Sequence, residues 1–131
     1  MDEREALDAE MRRYYAERAP EYDDWYDRSG RYDDPETNAV WMREIAALER
    51  VADGFGDGAL LDLACGTGRW TVRFAANPRV TSVTALDQAP AMLAQTRARL
   101  DATGRSARLV QGDAYHLPFA DAAFASCFFG F

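Results

Sequence analysis

Apolar positions in the first fifty residues recur at helical spacing. Leu7, Met11 and Tyr14 or Tyr15 lie three or four positions apart, and a similar pattern returns around Ile45 and Leu48. This spacing places such residues on one face of an α-helix, so the segment is predicted to be largely helical.

A break in the helical pattern is expected between residues 29 and 38. Gly30 and Pro35 interrupt the periodicity there, and Thr37 or Asn38 is positioned to cap the next helix. The stretch before the break, YDDWYDRSG, is rich in aromatic and acidic residues. Two helical stretches separated by a turn are therefore predicted.

From residue 54 onward, short apolar runs alternate with amphipathic segments. The predicted strands are 59–64, 80–87, 107–113 and 122–131, and the predicted helices between them are 69–76 and 90–104. Alternation of this kind, with strands apolar on both faces, predicts a parallel sheet covered by helices on both sides.

The first predicted strand runs into two glycines within LLDLACGTGRW, residues 60–70. In such a sheet, ligands bind beyond the carboxyl ends of the strands. Gly66 and Gly68 can adopt positive φ angles and let a ligand approach the backbone. This pattern predicts a nucleotide-like ligand, although the glycines could serve only a tight strand-to-helix turn.

Two acidic residues end the next two strands. Asp87 follows Gly68 by about twenty residues, the offset at which a carboxylate reaches ribose hydroxyls. It is equally placed to cap the helix near Pro90. Asp113, within GDAYHLPF, is placed to accept from an exocyclic amine, and its alternative role is a solvated loop carboxylate.

Two missing features narrow the choice of nucleotide. Thr71, after the bulky Trp70, stands where a dinucleotide-binding motif has its third small residue, and no Gly-Lys-Ser/Thr is present to hold a triphosphate. We therefore expect a ligand with an adenosine and no phosphate chain. A nicotinamide-dependent oxidoreductase is the less favoured alternative.

Composition adds limits on partners and compartment. The chain has 131 residues and a formal net charge of −7, so its surface repels phosphate backbones and anionic membranes. Its charged N-terminus lacks the apolar segment of a signal peptide, and Cys65 and Cys127 lie in no metal-binding motif. We expect a cytoplasmic protein with reduced thiols, no metal site and no nucleic-acid or membrane partner.

Four ordered motifs resemble those of the class I S-adenosylmethionine-dependent methyltransferases. They are LLDLACGTGRWT, ALDQAPAML, QGDAYHLPF and FADAAFASCFFGF, and YYAERAPEYDDWY resembles the helical N-terminal cap of family members acting on small molecules. The resemblance implies an α/β fold, a Rossmann-like doubly wound parallel sheet of strand order 3-2-1-4. It implies a cap over residues 1–53 and a cofactor-binding core over 54–131.

The resemblance also implies which residues contact S-adenosyl-L-methionine. Backbone of Ala64, Cys65, Gly66 and Gly68 would contact the methionyl part, supported by Asp62. The remaining implied contacts are Asp87 at the ribose, Gln88 and Met92 beside the adenine, Asp113 and Ala114 at the adenine edge, Phe128 and Phe129 below the methyl, and Tyr14 and Tyr22 as lid residues.

The implied function is methyl transfer to a small-molecule acceptor, with no catalytic base assigned. His116 is expected to be only a loop histidine. Since the family's sheet has seven strands, the chain is expected to be a fragment, truncated after strand four, whose activity alone would be incomplete. The alternative is a non-catalytic cofactor-binding half-domain completed by a partner or a second copy through the exposed edge of strand four.

Overall fold

The computed structural model describes residues 2–130, and Phe131, part of the predicted fourth strand, lies outside the described residues. Helices come first and a mixed strand–helix region follows. The helices are α1 (Glu3–Arg18), α2 (Tyr22–Asp27), α3 (Pro35–Asp53), α4 (Thr71–Ala76) and α5 (Pro90–Thr103). The strands are β1 (Gly58–Leu63), β2 (Val80–Asp87), β3 (Arg108–Gln111) and β4 (Ser126–Phe129).

The four strands form one parallel sheet in the order β3-β2-β1-β4. In the central register, Leu61 lies between Thr84 of β2 and Cys127 of β4. This confirms the predicted Rossmann-like α/β fold with its N-terminal helical cap. The carboxyl ends of all four strands consequently meet at one edge of the sheet.

Local sequence signals explain where the helices begin and end. The Asp2 side chain accepts a hydrogen bond from the Glu5 N–H at 2.8 Å at the start of α1. Pro90 occupies the first turn of α5, where its missing N–H costs nothing, and Gly104, at φ +65°, ends that helix.

The predicted cap of α3 was wrong. Asp34, not Thr37 or Asn38, is the N-cap, and its side chain accepts from the Glu36 N–H at 3.1 Å. Pro35 then fills the first turn of the helix. The carboxylate is better placed than Thr37 because it precedes the proline that starts the helix.

Strands β3 and β4 are shorter than predicted. The apolar run that suggested a strand from residue 122 begins with a turn, in which Ala122 has φ +57°, and pairing with β1 begins at Ser126. Continuous hydrophobicity therefore overstated the strand, because alanine-rich sequence carries little strand preference of its own.

Cap and sheet share one apolar core. Tyr26 and Ile45 from the cap pack with Leu60, Phe74 and Val83 around the sheet. A second cluster joins Ala19 to Ala89 and Met92. The division into a cap, 1–53, and a core, 54–131, stays a prediction, since both segments contribute to the same buried cluster.

Candidate functional site

A cavity of about 700 Å³ opens where the carboxyl ends of the four strands meet. Its lining comes from strand ends, from the loops that follow them and from the first two helices. The lining residues are Leu7, Asp8, Met11, Tyr15, Tyr22, Leu63, Ala64, Gly66, Leu86, Asp87, Gln88, Met92, Gly112, Asp113, Ala114, Tyr115, Phe129 and Gly130. This size lies within the usual range for small-molecule sites.

The turn after β1 exposes backbone to this cavity. Gly66 has φ +58°, and a Cβ built there would meet no atom within 4 Å. Ala64 has φ +57°, a left-handed conformation that is strained for a residue with a side chain and that clusters at functional sites. The open space beside Gly66 therefore leaves room for a ligand against the main chain.

Gly68 serves a different purpose from Gly66. A Cβ on Gly68 would lie 2.8 Å from the Thr96 Cγ2 atom and 3.0 Å from its Cα atom. Gly68 lines neither cavity at this end of the sheet. Its missing side chain allows the turn to pack closely on α5, a role that the sequence analysis did not predict.

Asp87 connects three neighbouring segments at the end of β2. One carboxylate oxygen accepts from the Gly66 N–H at 2.9 Å, and the other accepts from the Ala89 N–H at 2.9 Å. Burial raises the pKa of Asp87, while the backbone N–H groups act in the opposite direction. The carboxylate thus holds the residue that precedes α5 and faces the cavity. It is not the N-cap of α5, which is Ala89 without a side-chain cap, and its ribose contact stays a prediction.

Asp113 holds its own loop at the far side of the cavity. Its carboxylate accepts from the Tyr115 N–H at 2.9 Å and lies 3.2 Å from the His116 Nδ1 atom. These contacts lower the pKa of the Asp113 carboxyl group, the Tyr115 N–H most strongly. The His116 side chain is 74% exposed and lies outside the cavity lining.

A second, water-sized cavity of about 30 Å³ lies behind the turn. Asp62 lines it, 2% exposed, and its carboxylate accepts from the Thr71 hydroxyl at 2.6 Å. Burial raises the pKa of Asp62 to about 7, an effect that the Thr71 hydrogen bond opposes. Cys65 and Phe128 line the same small cavity, and burial raises the pKa of the Cys65 thiol.

Helix α1 covers the large cavity with an apolar stripe. Leu7, Met11 and Tyr15, four positions apart, line it, and the Arg4 guanidinium lies 5.1 Å from the centre of the ring of Tyr115, another lining residue. No residue of α1 is buried. The helix therefore contributes its apolar face mainly to the cavity, although Tyr15 also packs against the buried cluster of Ala19, Ala89 and Met92.

The predicted site residues fall into three groups. Those that line the large cavity are Tyr22, Ala64, Gly66, Asp87, Gln88, Met92, Asp113, Ala114 and Phe129. Those that line only the small one are Asp62, Cys65 and Phe128. Tyr14 and Gly68 line neither; the Tyr14 hydroxyl instead accepts from the Arg18 guanidinium at 2.7 Å.

Some lining residues were not predicted as site residues. Leu7, Met11 and Tyr15 were visible in the helical pattern, but periodicity alone could not show whether that face met a core or a cavity. Tyr115 and Gly130 carried no signal of their own. Within residues 2–130, no three His, Cys, Asp or Glu side chains are grouped as a metal site requires.

The sequence of this chain is similar to those of known methyltransferases. Residues 60–130 match a family model described as a methyltransferase domain. A demethylmenaquinone methyltransferase of Staphylococcus aureus is 33% identical over 107 residues, which are 81% of this chain and 43% of that protein. The chain thus spans less than half the length of this curated relative.

Solved structures show the same fold. A complex of DhpI with SAH superimposes with a TM-score of 0.66 and 31% identity, over 94% of this chain and 52% of that one. The [4+2]-cyclase SpnF gives a TM-score of 0.57 and 25% identity, over 66% of this chain and 34% of that one. None of the helices within residues 2–130 is long and apolar enough to cross a bilayer.

Proposed function

The chain belongs to the methyltransferase domain family, and from this membership we propose that it binds S-adenosyl-L-methionine and takes part in methyl transfer to a small molecule. One observation carries the proposal. The side-chain-free backbone at Gly66 faces open space in the same cavity as the buried carboxylate of Asp87. That pairing suits a ligand with a slender chain at one end and a ribose at the other.

The residues present fit this cofactor. Ala64 and Gly66 would lie along its methionyl part, Asp87 would accept from the ribose hydroxyls, and Met92 would pack beside the adenine. Asp113 and Ala114 would lie at the adenine edge, and Gln88 would lie beside the adenine. The Asp87 oxygens accept from the Gly66 and Ala89 N–H groups, and a carboxylate has about four acceptor sites, so it retains capacity for a ribose hydroxyl.

When bound, the cofactor supplies a methyl group on a sulfonium, which is reactive without a metal. The contribution of this chain is to orient the donor and to keep water away from it. Tyr22 and Tyr15 from the cap and Phe129 from β4 would enclose that region with rings. No catalytic base is proposed, because His116 is exposed and is not one of the residues that line the cavity.

An apolar acceptor is proposed from the cavity rim. Leu7 and Phe129 line the cavity and remain 57% and 70% exposed, so they offer apolar surface beside the proposed donor. The similarity to demethylmenaquinone methyltransferases supports the same class of acceptor. A nucleic-acid acceptor is not proposed, because the net charge of −7 repels phosphate backbones. The cytoplasmic location stays a prediction.

Binding and turnover must be measured separately, because the same fold occurs in a cyclase. We expect calorimetric titration to show binding of S-adenosyl-L-methionine (SAM) and of its demethylated product S-adenosylhomocysteine (SAH). SAH should bind more tightly than NAD. Transfer of labelled methyl to demethylmenaquinone would support the enzyme. Binding without transfer would favour the half-domain alternative, and tighter binding of NAD would favour an oxidoreductase.

The half-domain alternative has structural support at the sheet edge. Among residues 2–130, β4 pairs with β1 alone, and Cys127 on β4 is exposed. A second copy could add a strand at this edge. Sedimentation at increasing concentration should then show a dimer, which mild oxidation should cross-link in the wild type but not in Cys127→Ser. A monomer at every concentration would contradict self-association.

A further inference from the structure

The turn that faces the cavity is held by contacts from several elements. The Gly66 N–H donates to Asp87, and the Gly66 carbonyl accepts from the Thr96 hydroxyl of α5 at 2.8 Å. The Thr67 carbonyl accepts from the Arg99 Nε–H at 3.2 Å. All of these partners belong to the sheet and to α5, and Arg99 is the one among them that also contacts the cap.

The cap supplies one more contact to the same turn. The Asp23 carboxylate of α2 accepts from the Thr67 hydroxyl at 2.6 Å and also from the Arg99 guanidinium. Thr67 is only 3% exposed, and the Asp23 and Arg99 side chains are 27% and 30% exposed. This shielded triad joins α2, the turn and α5, which are far apart in sequence.

A second ion pair fixes the other end of α2. Asp27 accepts from the Arg69 guanidinium, and Arg69 directly follows Gly68 at the end of the turn. Tyr22, next to Asp23, lines both cavities. Because α2 is only six residues long, holding Asp23 at Thr67 and Asp27 at Arg69 also fixes where Tyr22 lies.

From this arrangement we infer that Asp23 is a positioning residue, which couples the order of the cap to the cofactor-binding turn through Thr67 and Arg99. This rests on the proposed function, since the coupled ligand is the cofactor. Asp23 lines neither cavity, so it acts through Thr67 and not by contact with the ligand. By thermodynamic linkage, a ligand that orders the turn also orders α2. Loss of the Asp23–Thr67 contact should therefore lower the affinity for the ligand.

The test compares Asp23→Asn with Asp24→Asn in the full chain, using SAH as the probe. Asp23→Asn removes the charge at similar volume, and we expect it to raise the Kd of SAH about five-fold or more, the lower end of typical coupling. Asp24→Asn is the matched control, because Asp24 accepts from Ser29 within the cap and does not reach the turn. It should leave the Kd unchanged.

Variants at Thr67 test the same tie from the turn. Thr67→Val removes the hydroxyl at equal shape and should weaken SAH as Asp23→Asn does, whereas Thr67→Ser retains the hydroxyl and should bind like the wild type. The double variant Asp23→Asn/Thr67→Val should lose less SAH binding free energy than the sum of the losses in the two single variants. Fully additive losses would overturn the inference.

Hydrogen exchange gives a readout that a purely structural role would not move. SAH should slow exchange at the α2 amides in the wild type, and this effect should shrink in Asp23→Asn. Equal SAH affinity and equal α2 protection in Asp23→Asn and wild type would overturn the inference while leaving the proposed function intact. Failure of the wild type to bind SAH would overturn both.

Discussion

At the scale of single residues, the Asp87 carboxylate shows how one side chain can serve structure and binding together. Its two oxygens accept from Gly66 and Ala89, and it lines the cavity. If Asp87 binds the ligand, removal of its side chain should lower the affinity for the ligand even in a variant that folds normally.

Asp87→Ala should weaken SAH binding by about 1 to 3 kcal/mol, through loss of charge-assisted hydrogen bonds in a buried site. Calorimetric titration measures the change. Asp101→Ala, on the exposed face of α5, is the control and should bind as the wild type does. A folded Asp87→Ala variant with unchanged affinity would remove this residue from the site.

Asp62 predicts an unusual pH dependence of stability. Its pKa is raised to about 7 in the folded state, whereas an unfolded aspartate titrates near ~3.9. Both states are protonated below that lower value. Between about pH 4 and 7 the unfolded state has lost the proton and the folded state retains it. The contribution of Asp62 to the free energy of unfolding therefore falls as pH rises through this range and is constant above pH 7.

Asp62→Asn should therefore gain stability relative to the wild type between pH 4 and pH 8, on the order of a few kcal/mol. The asparagine side chain keeps an acceptor for the Thr71 hydroxyl. Urea unfolding across this pH range measures the difference, with Asp101→Asn as the exposed control. Parallel curves for Asp62→Asn and the wild type would contradict the raised pKa.

At the scale of elements, the turn between β1 and α4 contains two glycines with separate functions. Gly66 borders open space and lines the cavity, whereas Gly68 abuts Thr96 on α5. The same substitution at the two positions should therefore act on different properties.

Gly68→Ala should destabilise the fold by about 2 kcal/mol or more, because the new methyl group would collide with Thr96 and alanine is strained at a positive φ. Gly66→Ala should cost only about 1 kcal/mol of stability, from φ alone, but should weaken SAH. Urea unfolding and titration of both variants separate the two effects. Equal losses of stability and affinity at both positions would contradict this assignment.

Helix α1 carries two apolar side chains, Leu7 and Met11, that line the cavity and stay exposed instead of being buried in the core. Replacing Leu7 and Met11 together by serine should change the unfolding free energy by about 0.5 kcal/mol or less. The same variant should bind SAH several-fold more weakly, because the cavity loses apolar cover. Leu48→Ser, at another exposed apolar position, should alter neither quantity. A large loss of stability in the double variant would show that α1 belongs to the core.

How far the sequence could predict these elements depended on the kind of signal. The parallel sheet could be predicted because short strands that are apolar on both faces alternate with amphipathic helices, which is typical of a sheet covered on both sides. The limits of β4 were overestimated, since alanine-rich apolar sequence fits a turn as well as a strand. Tyr14 was predicted as a lid residue, but Tyr15 lines the cavity instead, because adjacent residues of a helix lie about 100° apart and only packing shows which one faces the cavity.

At the scale of the whole molecule, acidic residues of the cap pair with arginines of α4 and α5 along one boundary, which we call the seam. Although the net charge is −7, arginines of α4 and α5 meet acidic residues of the cap. The Arg73 guanidinium lies 3.1 Å from Glu49 and 3.0 Å from Asp53, both on α3. The sequence could not show this pairing, because it joins residues that only the fold brings together.

Arg73→Ala should lower the free energy of unfolding by about 1 kcal/mol, because it breaks two partly shielded ion pairs between α3 and α4. Arg97→Ala on the exposed face of α5 is the matched control and should change it little. Urea unfolding at low and high salt measures both variants. A loss for Arg73→Ala that equals the control would show that the seam adds no stability.

The pairing of Asp23 with Arg99 also affects the order in which the protein can form during synthesis. The two residues are 76 positions apart, so helix α2 leaves the ribosome well before its partner has been translated. At typical bacterial and eukaryotic elongation rates this interval is about 4 to 15 seconds. A nascent chain arrested before α5 would therefore carry the acidic helix without its arginine, and would be unable to complete the ligand pocket.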